Sequence, residues 1–202
     1  MKTRAIALVL ATVGFPALMA PPAIGAPEQY TFDEAHTYPA FELNHLGWST
    51  TRGFFGKAKG KAMLDFAGKA GSLEIAIDAA SVQTGDAKRD EHLRGPDFFN
   101  VAKFPGIQFK SNKVKFDDNK IVEADGELTL LGVTKPVTLT VEGFKCGPHP
   151  IYKREYCGGD AYTTIKRSEF GMNIYAGAIG EDVKLRIQVE AAKGNDWGPQ
   201  KK

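Results

Sequence analysis

Residues 53–66 read Gly53-Phe-Phe-Gly-Lys-Ala-Lys-Gly-Lys-Ala-Met-Leu-Asp-Phe66. In an extended chain alternate side chains point to opposite faces, so the stretch divides into two sets. The odd set, Phe55, Lys57, Lys59, Lys61, Met63 and Asp65, reads as a largely solvated face. The even set, Phe54, Gly56, Ala58, Gly60, Ala62, Leu64 and Phe66, carries no charge and reads as the buried one. Its middle positions are Gly or Ala. A long strand with so small an inward face predicts free volume inside a barrel of about eight strands, enough for one ligand. Gly56 and Gly60 equally suit a strand that bends at a barrel corner, and both roles stay open at this point.

The flanking chain repeats the period of two. Ala40 to Leu46, Ser72 to Asp78, Ile107 to Lys115, Lys120 to Leu130, Val133 to Phe144, Ala161 to Arg167 and Asp182 to Ala191 all read as strands. Short turns at Phe116–Asn119 and Leu131-Gly132 fit hairpins. Only one segment is convincingly helical, residues 86–95, with Asp86 as N-cap and Gly95-Pro96 as its stop. Many strands, one short helix and no βαβ rhythm predict an all-β antiparallel barrel in a single domain. Residues 193–202 read as a disordered tail.

The first 25 residues read as a signal peptide rather than as part of the fold. Lys2 and Arg4 precede the apolar run Ala5 to Leu18, and Ala23 and Gly25 suit a cut before Ala26. The folded domain is then 26–192. Export removes two of the 26 basic residues and leaves 24 against 24 acidic ones. A formally neutral chain has no field with which to seek nucleic acid or anionic membranes. In an exported chain the two cysteines, Cys146 and Cys157, are expected to form a disulfide rather than a metal pair or a reactive thiol.

No motif for catalysis emerges, and no metal site is expected. Gly56 to Ala62 has the wrong spacing for a phosphate loop and sits in a strand. His36, His45, His92 and His149 lie on separate elements without paired metal-ligand spacing. Asp90 and His92 are two apart on the helix and face different directions.

Taken together, several motifs resemble the YceI-like family over about residues 29–191. They are Asp33-x-x-His36, Phe41-x-x-x-His45-Leu46-Gly47, Gly53-x-Phe55 and Thr84-Gly85 with Arg89-Asp90-x-His92-Leu93-Arg94 and Asp97-Phe98-Phe99. Pro105-x-x-x-Phe109, Gly126-x-Leu128-Thr129-Leu130-x-Gly132-Val133-Thr134-x-Pro136-Val137 and Arg167-Ser168-x-Phe170-Gly171 continue the pattern. The resemblance implies a periplasmic lipocalin-like barrel that binds a long isoprenoid, either a polyprenyl diphosphate or a quinone tail. It implies no catalysis and no cofactor beyond that lipid, with a cytochrome b561-type membrane protein as a partner and a monomer or homodimer as the assembly. The Cys146/Cys157 loop falls outside the family pattern and raises the expectation of an altered barrel mouth.

Alternation and resemblance together nominate an apolar wall of Phe41, Leu43, Phe54, Leu73, Ile75, Ile77, Phe98, Phe99, Phe109, Leu128 and Leu130. Gly56, Ala58, Gly60 and Ala62 are expected to supply the space. His36, His45, Arg89, His92 and Arg167 are the candidates for a polar head group near the opening. Two other readings remain: an enzyme acting on a lipid or quinone through His45, His92 or Asp90, and an interaction protein with no essential ligand.

Overall fold

The structure, a computed structural model, describes residues 26–198; the leader read over 1–25 lies outside them. The chain forms strands β1 (Glu28–Phe32), β2 (Tyr38–His45), β3 (Ser49–Phe55), β4 (Ala58–Asp65), β5 (Ala70–Asp78) and the two-residue β6 (Val82–Gln83). Helix α1 (Ala87–Arg94) follows, then β7 (Gly106–Asp117), β8 (Lys120–Leu130), β9 (Val133–Pro148), β10 (Glu155–Lys166) and β11 (Asp182–Lys193). Every pairing between strands is antiparallel, and β1 closes the ring by pairing with both β4 and β11. Closure leaves the sheet without a long free edge, which is the open-sheet liability that barrels avoid.

Two of the eight barrel positions are each shared by a pair of strands. Residues 33–37 loop out between β1 and β2, both of which lie along β11. β3 and β4 are likewise two halves of one position, since β3 pairs with β2 and β4 with β1. This corrects the reading of 53–66 as a single strand. The chain breaks at Gly56-Lys57, where the Gly56 amide donates to the Ser81 carbonyl and the Lys57 amide to Ser81 Oγ. The break shifts the alternation by one residue, so Gly53 and Phe55 point inward before it and Ala58, Ala62 and Leu64 after it. Phe54 is therefore outside, 37% exposed and edge-on to Tyr38.

The two ends of the barrel differ. One end, the floor, carries the β4–β5 and β7–β8 turns and the β9–β10 loop. It is closed by an edge-on aromatic row in which Tyr30, Phe66 and Phe116 follow one another at 6.3 and 5.8 Å. The other end, the rim, carries the β2–β3 turn, α1 with its following loop, the β8–β9 turn and the long connection from β10 to β11. Helix α1 begins and ends where expected: the Asp86 side chain accepts from the Arg89 amide, and the Gly95 amide closes on His92. No helix among the described residues is long and apolar enough to cross a membrane.

The Cys146–Cys157 disulfide is formed, joining residues directly opposite on β9 and β10. It sits toward the floor, so the expectation that this loop reshapes the mouth is not met. The expectation of a disordered tail from 193 also fails as far as Gly198. Lys193 is the last residue of β11, and Arg154 donates to the carbonyls of Lys193 and Gly198 and to Asp196. Tyr156 donates to the carbonyl of Trp197.

Two turns at the rim, Leu46-Gly47 and Leu131-Gly132, have positive φ at both residues (56° and 77°; 52° and 75°). Such turns favour Asn-Gly; a leucine in the left-handed region costs about 1–2 kcal/mol. Leu131 offsets that cost by packing on the core. Leu46 does not, being 52% exposed.

The Cys146→Ser/Cys157→Ser double variant is expected to lose about 2–3 kcal/mol of unfolding free energy in denaturant titration. Equal stability of the two proteins would show that the bridge constrains nothing in the unfolded chain. Gly60→Val is expected to cost about 1–3 kcal/mol by overpacking, because a Cβ there would meet the Glu74 carbonyl and the Phe32 ring. A variant with wild-type stability would mean that both neighbours yield freely.

Candidate functional site

The barrel encloses a cavity of about 390 Å³, inside the range of roughly 300–1,000 Å³ typical of small-molecule sites. Its lining is apolar except for Tyr30 at the floor and a few groups toward the rim: His45, Thr51, Arg89, His92, Arg167 and Tyr175. Among the described residues no Asp or Glu lines it.

Inward side chains pack unevenly around the ring, and of the small residues on β4 only Ala62 lines the hollow. Where strand glycines stand, neighbouring rings fill the gap: Phe41 lies over Gly53, Phe32 over Gly60 and Phe109 over Gly126. On that side Phe32, Ala62, Leu64, Ile75, Ile77, Ile107 and Phe109 are buried. On the opposite wall Val137, Val141, Ile165, Val183, Leu185, Ile187 and Val189 point inward yet stay only partly buried. Gly158 and Gly159 line the same wall beside a register shift in the β9–β10 ladder. β-branched and leucine side chains facing across a wide barrel do not meet in the middle, and that unmet distance is the cavity.

Of the residues expected to form the wall, Phe41, Leu43, Ala62, Leu73, Ile75, Ile77, Phe98, Phe99, Phe109, Leu128 and Leu130 line the cavity. Phe54, Gly56, Ala58 and Gly60 do not. Phe54 lost its place to the register shift, Gly56 is at the break, and Gly60 is roofed by Phe32. Ala58 is buried, but outside the lining.

Of the residues nominated for a head group, His45, Arg89, His92 and Arg167 line the cavity toward the rim. Arg167 has a different role. Its buried guanidinium donates from Nε to the Gly180 carbonyl (3.0 Å), from Nη1 to Met172 and Ile174 (both 2.8 Å) and from Nη2 to Ile179 (3.2 Å). The planar five-donor fork thus clamps the β10–β11 connection that forms part of the rim. Arg89 is tied by Nε to Thr84 Oγ1 (2.7 Å) and by Nη2 to the Thr84 carbonyl (2.9 Å). The Thr84 amide and hydroxyl both donate to the buried Asp90 carboxylate, which anchors α1 and faces away from the cavity. His92 stands edge-on to Phe98 (5.0 Å) and Tyr175 (6.4 Å), so it is packed on aromatics rather than paired with an acid.

His36 is far from this role. It lies in the 33–37 loop on the barrel wall, where Nδ1 is 2.9 Å from Asp33 Oδ2. Glu190 joins the pair, the ligand atoms of all three lying within 4.8 Å of one another. Spacing alone hid this grouping, because Glu190 comes from β11. His149 is elsewhere again, stacked on Tyr152 and tilted against Tyr156 at 4.6 Å from each. Alternation could not find Met172, Tyr175 and Ile179, which line the cavity from an irregular connection.

Comparison with known proteins places these features in a family. The model of the YceI-like domain matches residues 30–191. Protein YceI of Escherichia coli O157:H7 is 34% identical over 194 residues, covering 96% of this chain and 99% of its own. The crystal structure of Burkholderia cenocepacia BcnA superposes with a TM-score of 0.68 at 24% identity, covering 79% of this chain and 98% of its own. A polyisoprenoid binding domain from Saccharophagus degradans, implicated in plant cell wall breakdown, superposes with a TM-score of 0.59 at 17% identity, covering 82% and 98%.

The hydrogen bond that His36 Nδ1 makes to the Asp33 carboxylate raises the imidazole above its ordinary value. A raised folded value means that the pair's stabilisation is fully present below about pH 6.5 and is lost as pH rises through the folded value. An NMR titration is expected to place His36 above a model histidine and to bring it back down in Asp33→Asn. A His36 that titrates normally in the wild type would dissolve the pair.

Proposed function

The chain belongs to the YceI-like family, and from that premise we propose that it is an exported protein that holds a long-chain isoprenoid amphiphile in its barrel. The observation that carries this reading is the distribution of polarity in the cavity: an apolar hollow of about 390 Å³ whose cationic and imidazole groups all stand at the rim. That gradient fits a molecule with an oily tail and one polar end. Each CH₂ moved from water into such a wall contributes about 0.8 kcal/mol, so tail burial supplies affinity without a single hydrogen bond. Ordering a flexible chain opposes part of that gain.

The S. degradans domain is described as binding polyisoprenoids, and the shared barrel supports extending that ligand class to this chain. A polyprenyl diphosphate or a quinone-like lipid both satisfy the tail, and His45, Arg89 and His92 are the groups placed to meet the head. The leader over 1–25, cut between Gly25 and Ala26, would deliver the protein to the periplasm, where the disulfide can form. A carrier, store or sequestering protein for such a lipid requires no chemistry of its own. A cytochrome b561-type membrane protein is a partner that would suit a quinone-like cargo.

Solvent extraction of the purified protein followed by mass spectrometry is expected to yield an isoprenoid lipid. Leu185→Trp, which projects a large ring into the hollow, is expected to reduce saturable uptake of a polyprenyl lipid at least about ten-fold. Its stability should change by less than about 1.5 kcal/mol, since the ring enters space that is already empty. Recovery of short fatty acids alone, with no saturable uptake by the wild type, would overturn the proposal.

A further inference from the structure

Three of the large apolar side chains most exposed among the described residues stand together at the rim: Trp48 (88% exposed), Leu46 (52%) and Tyr175 (51%). They come from two segments that are joined directly. The Leu46 amide donates to the Ala178 carbonyl at 3.0 Å, the Ala178 amide donates to Tyr175, and His45 bridges Ile179. His45, Tyr175 and Ile179 all line the cavity, so the exposed patch is continuous with its apolar lining.

We propose that Leu46, Trp48 and Tyr175 form a lip that seats the cavity mouth on the surface of a lipid bilayer. The inference rests on the cavity's being a lipid site, because a cargo of that kind resides in membranes and must be collected or delivered there. The side-chain chemistry points to the same occupant. Trp and Tyr are amphipathic rings that concentrate at the headgroup level of a bilayer, and leucine favours its apolar side. Local geometry adds an independent reason. Leu46 occupies a left-handed position better suited to asparagine, and no burial in the folded protein compensates it. Leu131, in the equivalent turn on the other side of the rim, is packed on the core. A residue kept against its own backbone preference and left half in water is one whose burial occurs elsewhere. The exported chain carries 24 basic and 24 acidic residues, so docking operates by insertion and not by attraction to anionic lipid.

The test uses residues 26–202 and vesicles of zwitterionic phosphatidylcholine. With Trp197→Phe as background, Trp48 is the only tryptophan, and its emission is expected to shift to the blue on mixing, with little dependence on salt. Trp48→Ser is expected to weaken vesicle co-sedimentation about ten-fold or more, which is the order expected for losing one large buried apolar side chain. Ile151→Ser, at the floor and also highly exposed at 75%, is the control and should change nothing. Leu46→Asn separates docking from folding, since it is expected to raise the melting temperature while lowering vesicle affinity. Uptake of lipid presented in detergent should be unchanged in Trp48→Ser and Leu46→Asn, with only transfer from vesicles slowed. Absence of vesicle binding by the wild type, equal loss in Ile151→Ser, or a dimer that Trp48→Ser dissociates would each overturn the lip. Loss of uptake from detergent in the wild type would instead overturn the cavity reading on which it rests.

Discussion

A sheet closed on itself sets the volume of its interior before any side chain is chosen. Strand number and stagger fix the width of a barrel, and side chains either fill it or leave a remainder. Here the ring has eight positions, strands all round it line the remainder, and the inward residues of β9, β10 and β11 are the least buried. The opposite wall is filled because aromatic rings on one strand lie over glycines on the next, as Phe32 does over Gly60 and Phe109 over Gly126. Small residues in a strand therefore do not by themselves create emptiness. They create room that a neighbour can occupy, and whether it does is decided across the ladder.

That distinction marks how far the sequence could be read. Period-two alternation located nearly every long strand, and Lys120–Leu130 was bounded correctly at both ends. Asp86 and Gly95 delimited the helix because capping is a local event, settled within four residues. The two cysteines stand opposite each other on β9 and β10 and are joined, the pairing expected of a chain read as exported. What failed was the facing of Phe54 and Phe55. Their orientation depends on a break at Gly56-Lys57 that exists because this position changes strand partners, and partners far along the chain leave no local mark. The hollow was legible in kind and in much of its lining, whereas the share contributed by β9–β11 was not singled out, because those strands alternate like any other.

The rim shows polar groups put to two uses that look the same in sequence. Arg89 and Arg167 both belong to the motifs that carry the family resemblance, and both touch the cavity. Arg167 is buried among four carbonyls and holds the β10–β11 connection in shape. Arg89 stays exposed and is braced by Thr84, which is itself fixed by Asp90. A charged residue's identity does not reveal whether it supports the architecture or meets a ligand; its partners do.

The seam beside β3 has a mechanical consequence. On its side away from β2, β3 is laddered only at Phe54 and Phe55, to Gln83 and Val82, which leaves Ser49 to Gly53 without a strand neighbour there among the described residues. The ring contacts of Phe99 with Phe41 and Phe55, at 6.4 and 5.3 Å, stand in for backbone bonds near that gap. Parting side chains breaks fewer interactions than unzipping a ladder. The barrel is thus a vessel with a stiff base and a slit-like weakness in its upper wall, a seam that parts more readily than the hydrogen-bonded staves on either side.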